Sequence, residues 1–239
     1  MSERVMNIGL LNSMAASESY TAEREESQAS GSVLEEKACW NPDEFAREQI
    51  RGLVRKVFLS GAERPVRQVV FSAVEPETDV RTVCRWVGEA LAEETSASVA
   101  IAGRFTPILH EARASREGAE RRGRLRPIAT RVRGNLWLLP SVPREGGRVS
   151  AASLHQHLNE MRREFEFSVV EARAVNASME AMAMAQFADG IILVLSAQHT
   201  RRPQARKIKE ALEGSRARLM GTVLRDRVFP MPDAIYRRL

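Results

Sequence analysis

The chain is predicted to fold as a three-layer α/β domain, a mostly parallel sheet covered by helices on both faces. Three observations carry this. Short runs rich in β-branched and other apolar residues recur at Gln68 to Ala73, Ser98 to Ala102, Asn135 to Leu139, Phe165 to Glu171, Ala188 to Leu195 and Leu219 to Arg225. Between several of them lie segments with helical spacing, most plainly Val80, Val83, Cys84, Val87 and Leu91. Strands that alternate with helices in this way pair in parallel, because each crossover helix returns the chain to the same end of the sheet.

Composition is compatible with one domain and a leader. The 239 residues are 44% hydrophobic, enough for a core. No unbroken apolar run exceeds the five residues of Ile191 to Leu195, far below the roughly 20 needed to span a bilayer. The N-terminus lacks a basic head followed by an apolar core, so no secretory signal is expected and the location is read as cytoplasmic. Cys39 and Cys84 show no metal-ligand spacing, and Cys84 falls on the apolar face of its helix as a small core residue. Charge is unevenly laid out. Residues 1–36 carry seven Glu against Arg4 and Arg24, a net −5, so with an overall +5 the rest of the chain carries +10. Residues 1–41 are read as an acidic, mostly disordered leader in which Val5, Ile8, Leu11 and Met14 could make one short helix; the domain runs from 42 to 239.

Taken in order, the first helix of the domain starts at Asn41-Pro42-Asp43, a capping Asn with Pro at the first position. Phe45, Ile50, Leu53, Val54, Val57 and Phe58 form its apolar face, and Ser60-Gly61 ends it. The strand Gln68 to Ala73 runs through a turn at Pro76 into the helix that begins at Val80, with Asp79 or Thr78 placed to cap it. A carboxylate there meets the positive end of the helix dipole. The strand Ser98 to Ala102 leads to Gly103-Arg104-Phe105. Residues 111–133 then carry eight Arg against three Glu, which reads either as a patch for phosphate, nucleic acid or anionic lipid or as a solvated connection. No aromatics interleave these arginines, so base stacking is not signalled and nucleic acid is not the expected partner. Asn135 to Leu139 is a strand that enters a turn at Pro140. The helix from about Ser150 to Arg163 bears His155 and His157, whose i,i+2 spacing points them apart, unlike a metal-binding pair. Arg202 to Gly214 is the last helix.

Strand, tight loop and helix from Gln68 onward resemble the corresponding segment of the bacterial polysaccharide-biosynthesis tyrosine kinases, which are P-loop NTPases related to the partition and cell-division-site ATPases. That family writes S-x-E-P-G-x-G-K-[ST]-T. Aligned on Ala73-Val74-Glu75-Pro76, this chain has Glu77 and Asp79 in place of glycines, Thr78 between them, Val80 in place of the lysine, Arg81 in place of the metal-binding hydroxyl, and Thr82 at the final Thr. The resemblance continues through Phe165 to Ala174, where Glu171 stands at the Walker B carboxylate and Arg173-Ala174 replace two prolines. It is closest in Ala188-Asp189-Gly190-Ile191-Ile192-Leu193-Val194-Leu195, with Thr200 at the expected offset. Ala102 and Arg104 stand where the family has a D-x-D pair, and Arg225 where an Asn lies near the adenine. Glu48 and Arg51 match part of an E-x-x-R-x-x-R helix that assembles rings in the family, but Val54 takes the second arginine's place; from the residues alone they are an ion pair on a solvated face.

The resemblance implies a P-loop NTPase-like fold whose ATP and Mg²⁺ chemistry has been lost. Glycines and lysine supply phosphate contacts, and phosphoryl transfer rests on backbone positioning, a lysine and a metal. Here three carboxylates, Glu75, Glu77 and Asp79, surround a site suited to a polyanion, and Glu171 alone cannot hold a metal and position a nucleophile. No catalytic, metal-binding or cofactor-binding residue is therefore assigned. The expected function is that of a pseudoenzyme, a non-catalytic adaptor or regulator of exopolysaccharide or capsule biosynthesis or export. The implied partner is a membrane chain-length or export protein or an active tyrosine kinase, with homo- or hetero-oligomers open. The alternatives are an atypical ATP-binding tyrosine kinase or ATPase of the same pathway, and a nonspecific DNA- or anion-binding protein. Active relatives end in a tyrosine cluster; this chain has one, Tyr236, in a tail that either tucks onto the body or docks a partner.

Overall fold

The computed structural model describes residues 5–7, 42–61, 65–104, 129–141 and 149–227. Within them lie eight strands and five helices: β1 (Val5–Asn7), α1 (Pro42–Val57), β2 (Gln68–Ala73), α2 (Val80–Glu94), β3 (Val99–Gly103), β4 (Thr130–Arg133), β5 (Leu136–Pro140), α3 (Ala151–Glu164), β6 (Phe167–Glu171), α4 (Glu180–Phe187), β7 (Gly190–Ser196), α5 (Arg202–Gly214) and β8 (Leu219–Arg227). They build one sheet in the order β1-β8-β7-β2-β6-β3-β5-β4. The six inner strands run parallel, and an antiparallel strand closes each edge.

The two faces of the sheet are covered separately. Val69, Phe71 and Ala73 of β2 pack with Ile192 and Val194 of β7 against α1 and α2. Val70 of β2, Ile191 and Leu193 of β7 and Val170 of β6 pack on the other face against α3, α4 and α5. Because both faces are covered, all six residues of β2 are buried, which is why it reads as a mostly apolar run, with only Gln68 and Ser72 polar, rather than an alternation. The three-layer parallel architecture expected from the sequence is the one observed. At Gly88 the sheet and α2 come so close that a Cβ would lie 2.4 Å from Ile101 Cδ1.

Three local expectations need correction, and one helix is additional to those expected. Val5–Asn7 forms a strand against β8, not part of a helix; the rest of residues 1–41 lies outside the described residues, as do Cys39, the tail from 228 onward with Tyr236, and residues 105–128 of the arginine-rich stretch. Arg131 and Arg133 belong to β4, a strand hidden in the sequence because three of its four residues are exposed. Arg131 Nε donates to Gly134 O at 2.6 Å across a turn where Gly134 has φ +46°, and Arg133 pairs with Glu93 at 2.6 Å. The helix α4 had no sequence signature at all. Its Glu-Ala-Met-Ala-Met-Ala-Gln-Phe run has no polar face, and Met179 at its start makes no side-chain cap. Finally, β8 extends two residues past Arg225.

Asp189, the acid in the chain's closest match to the family pattern, is a structural clamp. Its Oδ2 accepts from the backbone N–H groups of Arg67 and Gln68, each at 2.8 Å, and its Oδ1 from Arg162 Nη2 at 2.9 Å. It thereby ties the starts of β2 and β7 to α3 at the end of the sheet opposite the candidate site.

Candidate functional site

The strands β2, β3, β6, β7 and β8 all end at one rim of the sheet. From β2 the chain moves toward β3, whereas β6 and β7 lead it the other way past β2, so the rim beside β2 is the topological switch point where α/β sheets bind ligands. There the loop 74–79 joins β2 to α2. A turn closes with Thr78 N–H donating to Glu75 O at 3.3 Å. Asp79 caps α2: its side chain accepts from Thr82 N–H at 3.2 Å. Burial of the Asp79 carboxyl pushes its pKa up, but the Thr82 hydrogen bonds and the Arg225 charge together bring it below its ordinary value.

Each loop position has a distinct surrounding. Glu77 is exposed. Thr78 is buried, and its Oγ1 has no hydrogen-bond partner. Val80 is 6% exposed and packs among the apolar residues under α1 and α2, so the residue in the lysine's place belongs to the core. Glu75 is also buried. Its Oε2 accepts from Thr200 Oγ1 at 2.6 Å, while Oε1 has no partner.

Two clusters join this loop to the neighbouring strand ends, and sequence reasoning missed both. In the first, the Glu171 side chain, 2% exposed at the end of β6, accepts on Oε2 from Arg104 N–H at 3.0 Å and on Oε1 from Arg104 Nε at 3.2 Å and Nη2 at 3.1 Å. Arg81 Nε approaches Glu171 Oε2 to 3.7 Å from the first turn of α2. Two guanidinium groups thus surround one buried carboxylate. In the second, Arg225 Nη1 donates to Asp79 O and lies 3.2 Å from Asp79 Oδ2. Val5 pairs with Arg227 and Asn7 with Leu224, so one residue, Met6, stands against two, Arg225 and Asp226, and Asp226 in that bulge has φ +57°. A bulge re-aims its side chains, and Arg225 turns over the loop. Ser196 Oγ donates to Asp226 Oδ2 at 3.1 Å, and Ser196 N–H donates to Thr200 Oγ1 at 2.9 Å, which links this corner back to Glu75.

Other candidates fall away from the rim or into the core. Burial first, and then the Glu171 and Asp79 charges, push the Cys84 thiol well above its usual pKa, so it is an inert core group. His155 is exposed against the Phe187 ring, with centroids 4.7 Å apart, while His157 is buried, so the pair does point apart. Glu48 and Arg51 form the expected surface pair at 3.6 Å. Among the described residues no cluster of His, Cys, Asp and Glu could hold a metal ion, and no helix is long and apolar enough to cross a membrane.

No family model matches the sequence, and no curated protein matches it. Solved structures do match in fold. The kinase domain of the Escherichia coli tyrosine kinase ETK superposes with a TM-score of 0.63 at 13% identity, over 78% of this chain and 78% of that one. The VpsO kinase domain gives 0.54 at 19% identity, over 78% of this chain and 98% of that one. The MinD cell division protein of Aquifex aeolicus gives 0.50 at 16% identity, over 66% and 69%. At such identities the common property is the fold, and it is the P-loop NTPase-like fold that the sequence resemblance implied.

Proposed function

We propose that the chain is a catalytically degenerate relative of the polysaccharide tyrosine kinases. It acts in the cytoplasm as a non-catalytic adaptor or regulator of exopolysaccharide or capsule biosynthesis or export. Its partner is a membrane chain-length or export protein, or an active kinase, which brings it to the inner face of the membrane. The observation that carries this reading is the Arg104 guanidinium on Glu171, 3.1 Å from Nη2 to Oε1. A nucleotide-bound metal needs open carboxylate oxygens and a phosphate cradle of backbone N–H groups. The residues here do not fit that complex. Glu171 is covered by Arg104, the start of α2 is capped by Asp79, and Val80 lies in the core. Arg225 on Asp79 further closes the loop from the β8 side.

Calorimetric titration of the full chain with ATP and Mg²⁺ tests the reading. No saturable heat is expected, and a dissociation constant below about 100 μM overturns it. Co-purification with membrane chain-length proteins and tyrosine kinases then identifies the partner.

A further inference from the structure

A carboxylate with 2% of its side chain exposed requires a counter-cation, because an ionised group that loses its water must be paired or bound to a metal. In this rim the requirement is met from within the chain, and the geometry is forked: Nε and Nη2 of Arg104 share Glu171 Oε1, and the Arg104 backbone N–H takes Oε2. Arg81 adds a second, more distant charge at 3.7 Å. Both guanidinium groups are about half exposed, so each sits as a lid on the buried acid with its outer side in water.

We infer that Arg104 is a built-in counter-ion that takes, on Glu171, the place a divalent cation would otherwise occupy, and that it makes the conformation of this rim independent of any metal. Three elements depend on the carboxylate at once. It fixes the turn after β3 through the Arg104 N–H, the end of β6 through its own backbone, and the first turn of α2 through Arg81. A cation bound to Glu171 would have to displace a guanidinium that already makes two charge-assisted hydrogen bonds. Hard divalent cations favour carboxylate oxygens, so the same place becomes a cation site once the arginine is replaced by an acid. The inference rests on the reading of the rim as lacking nucleotide chemistry, but its test contains no nucleotide, so the two can fail separately.

The experiment is the thermal unfolding of the full chain in EDTA and in excess MnCl₂, for the wild type, Arg104→Asp and Arg104→Gln. The wild type is expected to unfold at the same temperature in both buffers. In EDTA, Arg104→Asp should lower Tm by about 5–10 °C and Arg104→Gln by about half as much, the expected consequence of leaving a buried acid uncompensated. Mn²⁺ should restore most of the loss in Arg104→Asp and little of it in Arg104→Gln, and adding Glu171→Gln to Arg104→Asp should abolish the restoration. A rise in wild-type Tm with Mn²⁺, an Arg104→Asp variant as stable as the wild type in EDTA, or one that Mn²⁺ does not rescue overturns the inference. Should Arg104→Asp fail to fold in either buffer, Arg104→Gln decides: a Tm in EDTA equal to that of the wild type overturns it, and a loss supports it.

Discussion

Arg225 Nη1 lies 3.2 Å from Asp79 Oδ2, although the two residues stand 146 positions apart in the chain. The contact joins the last strand of the sheet to the cap of α2. Asp79→Ala should therefore destabilise the domain by about 0.5–1 kcal/mol at neutral pH, the usual cost of a lost N-cap. The Asp79 carboxyl is held below its ordinary pKa, so its contribution is present above the unfolded value of about 4 and is lost as pH falls through the folded one. Urea unfolding at pH about 7 should separate the variant from the wild type, and the difference should shrink as pH falls below about 4.

His157 should give the opposite pH window from an ion-paired histidine. Burial lowers its pKa, partly offset by the Glu160 charge, and its Nε2 has no partner. The unfolded chain, with a histidine pKa near 6.5, then binds a proton that the folded chain refuses. Stability should fall as pH drops below about 6.5, with the loss complete once pH passes the folded pKa. His157→Phe should flatten that slope in urea unfolding between pH about 7.5 and about 5.

Asp189→Ala removes one carboxylate that serves two backbone N–H groups and Arg162. A loss of about 2–3 kcal/mol is expected in denaturant unfolding, because hydrogen bonds to charged groups are the stronger ones. Amide exchange at Arg67 and Gln68 should accelerate more than at the rim, which lies at the far end of the sheet.

Val80→Lys should not confer ATP turnover. The side chain at this position points into the packing beneath α1 and α2, so an ammonium there is desolvated before it can reach a phosphate. The variant should lose about 2 kcal/mol of stability, a typical penalty for such a change. Robust ATP hydrolysis would show that the helix start can turn its first residue outward.

Gly88→Ala should cost about 1–3 kcal/mol, since its Cβ would meet Ile101 Cδ1 at 2.4 Å and Cγ1 at 2.5 Å in a filled core. Ile101→Ala in the same chain should recover part of that loss, a coupling that a double-mutant cycle reads directly.

The sequence made the inner strands legible because a strand buried on both faces is apolar at most positions, as in β2 and the Ile191 to Leu195 run. It made α5 legible through its Arg202-Pro203 start and its amphipathic spacing. It hid β4, where Arg131, Val132 and Arg133 face solvent and look like part of a charged connection. It hid α4 for the converse reason, an apolar run with no polar face to set its period. At the site, the replacements at 81, 104 and 225 could be counted but not aimed. That Arg104 turns onto Glu171, 67 residues later, and Arg225 onto Asp79 depends on which strands become neighbours, and no local pattern encodes that.

The sheet order has a consequence for how the chain is made. Its central strand, β2, pairs only with β6 and β7, so Phe71 finds Glu171 and Ile192 as neighbours 100 and 121 residues downstream. During synthesis at about 5–20 residues per second, a mostly apolar strand waits several seconds or longer before either partner leaves the ribosome. Such late, long-range pairing is slow and leaves sticky surface open meanwhile. Newly made chains should therefore depend on a holdase at this strand, and moving the start of the gene to Ala151 by circular permutation, which brings β6 and β7 out first, should relieve that dependence.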